Sequence, residues 1–396
     1  MKKRFPIVVF FFLTAFNFTG AFAQADTVKQ PPVKVGIFAP LYLDSVFSNN
    51  TFRYKQSMPR FIAPAVDFVR GTQLALDSLQ SGNDYFEATI YDSKSFTQPV
   101  SWLIQNKKLD SLQLIIGSVK DAEFLQLAGF ALQKNIPFIS ATYPNDAGIT
   151  KNPFLVIVNS TLRSHCEAIY SYILQKHGTD KIYLCRQKGV QEDMVASYFK
   201  LINEQEGKPL LPIETINLDN NLTAAFLKTK LDSNGNSVLI GASLDETFAG
   251  GLSKAAYELR KSYPITLIGM PNWDGFAAIS KKNELADFPV YYTSPYFNSK
   301  TDETSKWINE NYKKKYKAYP GDMVFKGFES VYFFARLQAR HGDAFMNNIN
   351  DRSLRVISDF NFRPVMLKKD AGTPDYFENK HLYFIRMLNG TVSKTW

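Results

Sequence analysis

Short apolar stretches alternate with segments of helical periodicity over the first part of the chain. The apolar stretches lie at residues 33–38, 88–91, 114–116 and 136–140. Between them apolar or small residues recur at spacings of three and four, as in Phe68, Gly71, Leu74, Ala75 and Leu79. Nearly continuous apolar strands separated by amphipathic helices are typical of a parallel sheet covered on both faces. The pattern therefore predicts a doubly wound α/β lobe up to about residue 150.

A second series of the same kind follows. Strands are predicted at 181–185, 213–216, 237–241 and 265–269, with helices between them, and residues 301–346 have helical periodicity. Residues 381–387 again resemble a strand. The predicted architecture is two doubly wound parallel-sheet lobes joined by a hinge. Lobe 1 is assigned residues 33–155 plus 296–346, and lobe 2 is assigned residues 156–295 plus 347–396.

The N-terminus has the features of a secretory signal peptide. Lys2, Lys3 and Arg4 precede an apolar run from 7 to 16, and Ala21-Phe22-Ala23 has the small-x-small form of a cleavage site. The apolar run is too short to span a bilayer comfortably. Residues 1–23 are therefore predicted to be a cleavable signal peptide and 24–32 a linker. With no cysteine at the cleavage site, we expect a periplasmic or secreted protein, at most peripheral to the membrane.

The charge pattern argues against a nucleic-acid partner. The formal charge is +9, and removal of the signal peptide would leave +6. The other Lys and Arg residues are scattered among Asp and Glu, except for the run at 313–315 within a predicted helix. A solvated helix face explains that run, and export also disfavours nucleic acid.

Enzyme and metal signatures are absent from the sequence. It has no G-x-S-x-G elbow, phosphate-binding loop, dinucleotide glycine fingerprint or H-E-x-x-H motif. The four histidines and two cysteines show no metal-ligand spacing. We therefore expect no catalytic residues, no metal and no cofactor. Cys166 and Cys185 lie on a predicted helix and the next strand, so both a disulfide and two buried free thiols remain open.

Polar residues recur where the predicted strands end. In an open α/β sheet the ligand crevice lies outside the carboxyl ends of the strands, where helix N-termini offer free N–H groups. The residues predicted to bind a ligand are Tyr42, Ser118, Asp121, Ser140, Thr142, Tyr143, Ser243, Asn272 and Trp273. Ser118, Asp121, Asp245 and Asp274 could equally be helix N-caps. Trp273 could be a lid or stacking surface, or could pack between the lobes.

The order of these elements resembles the type I periplasmic-binding superfamily, in particular the branched-chain amino-acid binding proteins of ABC importers. The segments that carry the resemblance are 71–77, 115–118, 136–142, 265–270 and 315–335. The loop at 46–65 and the tail at 377–380 are similar to a subgroup of envelope proteins that sometimes carry LysM modules. The resemblance implies two lobes that close by a hinge around a ligand.

The resemblance also implies a way of binding amino acids. Family members use hydroxyls after strands three and four for the α-carboxylate, and an acidic residue of lobe 2 for the α-ammonium. This chain departs from that pattern, because Asp121 and Pro144 fall near the hydroxyl positions and Asn272 replaces the acid.

Two functions follow as expectations. The first is a non-enzymatic binding protein that closes on a small polar ligand, an amino acid or a similar solute, and serves an ABC importer. The alternative is a non-transport receptor or cell-envelope interaction protein with the same fold. The partner is accordingly an ABC permease in the first case and an envelope protein in the second.

Overall fold

A computed structural model describes residues 31–54, 57–80, 86–219, 221–280, 284–368 and 372–396. The predicted signal peptide, 1–23, and residues 24–30 of the predicted linker lie outside the described residues. Helices and strands alternate through most of the described chain.

The strands are, in chain order, β1 (Val33–Ala39), β2 (Phe47–Ser48), β3 (Thr51–Phe52), β4 (Phe86–Asp92), β5 (Leu114–Gly117), β6 (Phe138–Ser140), β7 (Leu155–Ile157), β8 (Lys181–Arg186), β9 (Glu204–Gln205), β10 (Lys208–Pro209), β11 (Ile213–Asn217), β12 (Ser237–Gly241), β13 (Ile265–Ile268), β14 (Val290–Ser294), β15 (Phe362–Val365), β16 (Tyr376–Asn379), β17 (Tyr383–Leu388) and β18 (Thr391–Lys394). The helices are α1 (Leu43–Val46), α2 (Ala63–Gln80), α3 (Val100–Gln105), α4 (Asp121–Lys134), α5 (Leu162–Lys176), α6 (Val190–Asn203), α7 (Ala224–Lys228), α8 (Glu246–Leu259), α9 (Ala277–Ser280), α10 (Glu303–Tyr316) and α11 (Asp322–His341). A 3-10 turn also covers Pro271–Gly275.

The first sheet has the strand order β15-β16-β7-β6-β5-β1-β4. It is parallel from β16 to β4, and β15 is antiparallel to its neighbour β16. Next to the β4 edge, Ile37 of β1 pairs with Ile90 of β4 on one side and Ile116 of β5 on the other. Helices α2 and α11 cover one face, and α3 and α4 cover the other. Burial on both faces explains why β1, β5, β6 and β7 are mostly apolar.

Helices α2 and α11 approach each other closely at two glycines. A Cβ on Gly71 would lie 2.0 Å from the carbonyl oxygen of Val324, and a Cβ on Gly327 would lie 2.1 Å from that of Phe68. Both helices are therefore in backbone contact at this crossing, a separation that only glycine permits.

The second sheet has the order β11-β8-β12-β13-β14-β17-β18. The strands from β11 to β14 are parallel, and β17 and β18 are antiparallel to their neighbours. Its core contains side chains from α5, α6 and α8. The prediction of two α/β lobes with mostly parallel sheets is confirmed.

One domain assignment is wrong in part. Residues 347–396 were all expected in lobe 2, but β15 and β16 belong to the first sheet, where β16 pairs with β7. Residues 156 and 157 of β7 likewise belong to the first sheet rather than to lobe 2. The sequence signal was weak for β15 and β16, because Arg363, Pro364, Glu378 and Asn379 interrupt their apolar residues. The chain therefore passes between the lobes three times, at 158–161, 295–302 and 380–382, which we call the crossover segments.

Cys166 and Cys185 are both buried and free, which resolves the alternative left open by the sequence. Within the described ranges, no helix combines the length and the apolar character needed to cross a membrane.

Candidate interlobe binding site

A cleft of about 700 Å³ lies between the two lobes. Lobe 1 contributes the loop at 143–146 after β6, together with Tyr296, Lys326 and Tyr376. Lobe 2 contributes Gln191, Met194 and Tyr198 of α6, Leu244 after β12, and Pro271, Asn272 and Asp274 after β13. The cleft is thus formed where parallel strands of both sheets end, which is the usual ligand position in such sheets.

The first two crossover segments line the cleft, and the first is joined to the end of β16 by buried hydrogen bonds. Ser160 Oγ donates to the carbonyl oxygen of Asn379 at 2.6 Å, and Thr161 N donates to Glu378 Oε1 at 2.7 Å. Lys380 Nζ pairs with Glu378 Oε2 at 2.9 Å. These contacts fix the first crossover segment against the end of β16 beside the cavity.

His165 also lines the cleft, at the start of α5. Its Nδ1 is 2.7 Å from Thr293 Oγ1 of β14. Burial lowers the pKa of His165 to about 3, against the opposing effect of a hydrogen bond with the Ser160 backbone. The imidazole is therefore neutral at ordinary pH and acts as a hydrogen-bonding part of the wall.

We expect His165 to make the protein less stable in mild acid. Its pKa is about 3 in the folded chain and 6.5 when unperturbed, so below pH 6.5 only the unfolded chain binds the proton. As the pH is lowered below about 6.5, the free energy of unfolding should decrease by about 1.4 kcal/mol per pH unit. At pH ~5 the decrease should reach about 2 kcal/mol. Urea unfolding of wild type and His165→Gln at pH ~7 and ~5 measures this. Between the two pH values His165→Gln should lose less unfolding free energy than wild type. Equal losses in the two proteins would contradict the assignment of a buried, neutral His165.

Of the residues predicted to bind a ligand, Tyr143 and Asn272 line the cleft. The Tyr143 ring packs edge-on against Phe124, with centroids 5.2 Å apart. Asn272 Nδ2 donates to the carbonyl oxygen of Leu244 at 2.8 Å, while its Oδ1 is buried and has no hydrogen-bond partner. Both side chains are thus held by their own lobe and border the cavity.

Three hydroxyls of lobe 1 lie outside the cleft lining. Ser118 Oγ and Thr142 Oγ1 hydrogen-bond to each other at 2.9 Å. Ser140 is fully buried in β6, and its Oγ has no partner. The sequence places these residues correctly at strand ends, but their hydroxyls face one another or the interior instead of the cavity. The prediction that Ser118 and Thr142 line the cleft is therefore wrong for this structure.

Tyr42 and Asp121 of lobe 1 are also outside the cleft lining. Tyr42 N donates to Asp92 Oδ1 at 3.1 Å, and its ring meets Phe61 edge-on with centroids 5.4 Å apart. Asp121 is exposed at the start of α4 and is 3.8 Å from Lys120 Nζ. Neither side chain is brought to the cavity in this structure.

Ser243 and Trp273 are parts of the lobe 2 core. Ser243 Oγ donates to Glu192 Oε1 at 2.6 Å, and Trp273 is fully buried. Trp273 Nε1 donates to the carbonyl oxygen of Ser243 at 2.9 Å. Its ring packs over the backbone of Gly241 and Gly269. Both residues therefore lie outside the cleft lining, and their contact with a ligand stays a prediction. The buried position of Trp273 in the lobe 2 core does not fit a lid or a residue packed between the lobes.

The alternative role as helix caps is confirmed for one residue. Asp245 caps α8, because its Oδ1 accepts from Phe248 N at 2.7 Å. Ser118 and Asp121 do not cap α4, whose N-cap residue is Lys120. Asp274 lies inside the 3-10 turn and borders the cleft.

Lys326 of α11 is a cleft residue that the sequence reasoning missed. Its Nζ lies 4.5 Å from the centroid of the Tyr296 ring, and Tyr296 Oη donates to the carbonyl oxygen of Ala141 at 2.7 Å. Burial lowers the pKa of Lys326, opposed by the carboxylates of Asp322 and Asp274. Burial also raises the pKa of Asp274, opposed by Lys326. A single lysine in the apolar run 323–328 was the available signal.

A smaller compartment of about 260 Å³ adjoins the cleft. The two cavities share Asp274, Ser294, Tyr296 and Lys326. The compartment also contains Tyr292, Asn298 and Glu329 in its lining. Lys326 therefore stands at the boundary between a large and a small cavity.

Metal binding has no support in the described part of the chain, where no cluster of three or more His, Cys, Asp or Glu side chains could hold an ion.

The most informative comparisons are with solved structures. A putative branched-chain amino acid ABC transporter protein from Rhodospirillum rubrum is 12% identical, with 92% of this chain and 100% of that one covered and a TM-score of 0.65. An ABC transporter substrate-binding protein from Desulfitobacterium hafniense in complex with Leu is 13% identical, with the same coverages and a TM-score of 0.56. The branched-chain amino acid transporter substrate binding protein LivJ from Streptococcus pneumoniae, in complex with isoleucine, is 16% identical, again with 92% and 100% covered and a TM-score of 0.51. At these identities the likeness shows the fold.

Sequence comparison gives the family. Curated proteins yield no match. A family model described as periplasmic binding protein matches residues 66–374, which is more than half of the chain. That match includes most strands of both sheets and every lobe 2 residue named as part of the cleft. The chain therefore belongs to the periplasmic binding protein family.

Proposed function

We propose that this protein is an exported, non-enzymatic binding protein that holds a small polar solute between its two lobes and delivers it to an ABC importer. The observation that carries the proposal is the interlobe cleft, to which both lobes contribute polar and charged side chains. A solute that touches both lobes favours their closed arrangement, because it gains contacts that neither lobe offers alone. The relatives solved with Leu and isoleucine support a solute of amino-acid size.

The arrangement of hydroxyls supports a second candidate. Ser118 and Thr142 bond to each other outside the cleft lining, so the hydroxyls that the family resemblance implies for an α-carboxylate are engaged elsewhere. This favours a solute bound differently from leucine, or a non-transport receptor that uses the same fold. A binding measurement separates the two, since a receptor for another envelope protein needs no small solute.

The test is thermal unfolding of the chain without residues 1–23 against amino acids, sugars, nucleosides and peptidoglycan fragments. A ligand at a hundredfold excess over its dissociation constant adds about 2.7 kcal/mol of stability. We expect one chemical class to raise the melting temperature. Absence of a shift with every class would contradict solute binding and favour the receptor role.

A matched pair of variants locates the binding. Met194 and Leu201 are both exposed apolar residues of α6, but only Met194 borders the cleft. We expect Met194→Arg to weaken binding of the identified solute about tenfold or more, since an interface contact of about 1.4 kcal/mol corresponds to that factor. Leu201→Arg should leave binding unchanged. Equal affinities of the two variants, measured by calorimetry, would place the solute elsewhere.

A further inference from the structure

A small hairpin of lobe 1 lies between α1 and α2 and is separate from both large sheets. Its strands β2 and β3 form a two-stranded sheet of their own, with Phe47 opposite Phe52. The tip residues Asn49 and Asn50 have positive φ angles of 45° and 60°, as a tight two-residue hairpin turn requires. All residues from 47 to 54 are exposed. The hairpin therefore has a defined backbone at the surface of the protein.

The hairpin and the segments beside it expose large apolar side chains. We call these side chains the aromatic patch, which consists of Leu43, Phe47, Phe52, Tyr54, Phe61 and Phe96. The rings of Phe47 and Phe52 have centroids 5.5 Å apart, and those of Phe52 and Tyr54 are 5.7 Å apart. These rings thus pack on one another and still remain exposed to solvent. A contiguous exposed apolar patch is typical of a surface that binds another protein or a membrane.

Two further contacts place Phe61 and Phe96 beside α1. Phe61 is 54% exposed and meets the ring of Tyr42, the residue before α1, edge-on. Phe96 is 74% exposed, and its backbone N–H donates to Asp44 Oδ2 of α1 at 2.6 Å. Leu43 of the same helix is also exposed. The aromatic patch therefore extends from the hairpin along α1 to the loop after β4.

The segment that carries the patch has an excess of positive charge. Residues 45–62 contain Arg53, Lys55 and Arg60 and no Asp or Glu. Arg53 and Arg60 are exposed, and neither guanidinium pairs with a carboxylate within the part of the chain that the structure describes. The neighbouring acid, Asp44, accepts hydrogen bonds from the loop after β4. The arginines are therefore available to an anionic surface that approaches the exposed rings.

Exposed rings together with unpaired cations fit a lipid surface. Aromatic side chains favour the interface between the headgroups and the acyl chains, and Arg and Lys are attracted to anionic headgroups. A second copy of this chain is a poorer partner for the same patch. Two patches that meet face to face would bring Arg53 and Arg60 towards their own equivalents, and like charges in contact are unfavourable.

We propose that the aromatic patch binds the surface of an anionic lipid bilayer and holds the protein there peripherally. The rings supply apolar area for insertion among the headgroups, and Arg53, Lys55 and Arg60 supply the attraction to anionic lipid. The aromatic patch lies outside the cleft lining. This inference therefore goes beyond the proposed function, and solute binding does not depend on it.

Co-sedimentation with vesicles tests the inference. The chain without residues 1–23 is mixed with vesicles of phosphatidylcholine alone, or of phosphatidylcholine with phosphatidylglycerol, at low and high salt. We expect binding to the anionic vesicles, much weaker binding to the neutral ones, and a decrease at high salt because ions screen the attraction. Equal binding to both kinds of vesicle, or no binding to the anionic kind, would overturn the inference.

Two double variants separate the contributions of rings and cations. Phe47→Ser with Phe52→Ser should lower the partition coefficient on anionic vesicles about tenfold or more, because the inserted apolar area is lost. Arg53→Gln with Arg60→Gln should lower it by a similar factor, about tenfold or more, and should reduce the dependence on salt. All four side chains are exposed, so both variants should keep the wild-type melting temperature and solute binding.

Matched controls remove similar side chains from other exposed surfaces. Lys313→Gln with Lys314→Gln removes the same charge from α10, and Leu201→Ser with Tyr319→Ser removes two exposed apolar side chains. Both controls should bind anionic vesicles as wild type does. An equal loss of binding in a control and in the corresponding patch variant would show a general effect of charge or apolar surface and would overturn the inference. Concentration-dependent self-association of wild type that Phe47→Ser with Phe52→Ser abolishes, without vesicle binding, would assign the patch to a protein interface instead.

Discussion

Replacement of Gly71 by alanine should destabilise the protein by about 3 kcal/mol or more, at the upper end of the cost of overpacking a core. The added Cβ would lie 2.0 Å from the carbonyl oxygen of Val324 and 2.9 Å from Phe328 N. These are backbone atoms of α11, so no side-chain rotation can relieve the clash and the two helices must separate. Urea unfolding followed by far-UV circular dichroism measures the loss.

A glycine in an open position provides the control for Gly71→Ala. Gly129 lies within α4, and a Cβ built there meets no atom within 4 Å. Gly129→Ala should therefore raise stability by about 0.5–1 kcal/mol, because alanine is the better helix former. If Gly71→Ala were as stable as Gly129→Ala, the close helix crossing described for the first lobe would be wrong.

Truncation of Trp273 should have the other large effect, a loss of about 3–5 kcal/mol in unfolding free energy. The ring is fully buried, and it fills the space above Gly241 and Gly269, where an added Cβ would lie 2.2 Å from ring atoms. Trp273→Ala would leave a cavity that those two backbone segments cannot fill. It would also leave the Ser243 carbonyl without its indole donor.

Two comparisons make the Trp273 prediction specific. Trp307 of α10 is 37% exposed, so Trp307→Ala should cost clearly less stability than Trp273→Ala. A lid or stacking residue would behave in the opposite way, with normal stability and weaker solute binding. Denaturant unfolding together with solute titration of Trp273→Ala therefore separates a core role from a ligand-contacting role.

The sequence predicts the parallel strands well because they are buried on both faces. Strand β5 is apolar throughout and β12 is apolar apart from Ser237. Their alternation with amphipathic helices is typical of a doubly wound α/β sheet. In the two seven-stranded sheets it missed β7, β14, β15, β16 and β18, and it also missed the two-residue strands β2, β3, β9 and β10. β15 contains Arg363 and Pro364, and β16 contains Glu378 and Asn379, so neither has the apolar composition that indicates a buried strand.

The candidate site could be predicted only as a region. Strand ends indicate where a cleft forms, and Tyr143 and Asn272 do border it. The direction of each side chain depends on its neighbours, as for Ser243, which is bound by Glu192. Lys326 comes from a helix almost 180 residues after the loop that faces it, and periodicity alone cannot bring such distant segments together.

The pairing of β16 with β7 sets the order in which the molecule can be completed. During synthesis the ribosome releases the parallel strands of both lobes before Tyr376–Asn379, the segment that covers the β7 edge of the first sheet. Until then β7 offers unpaired backbone groups to any other strand, a common route to misassociation. The ribosome therefore starts the first lobe before the second, but it synthesises the last strand of the first sheet only after nearly all of the second lobe. A gene fragment that ends at residue 346 would encode an incomplete sheet instead of an independent lobe.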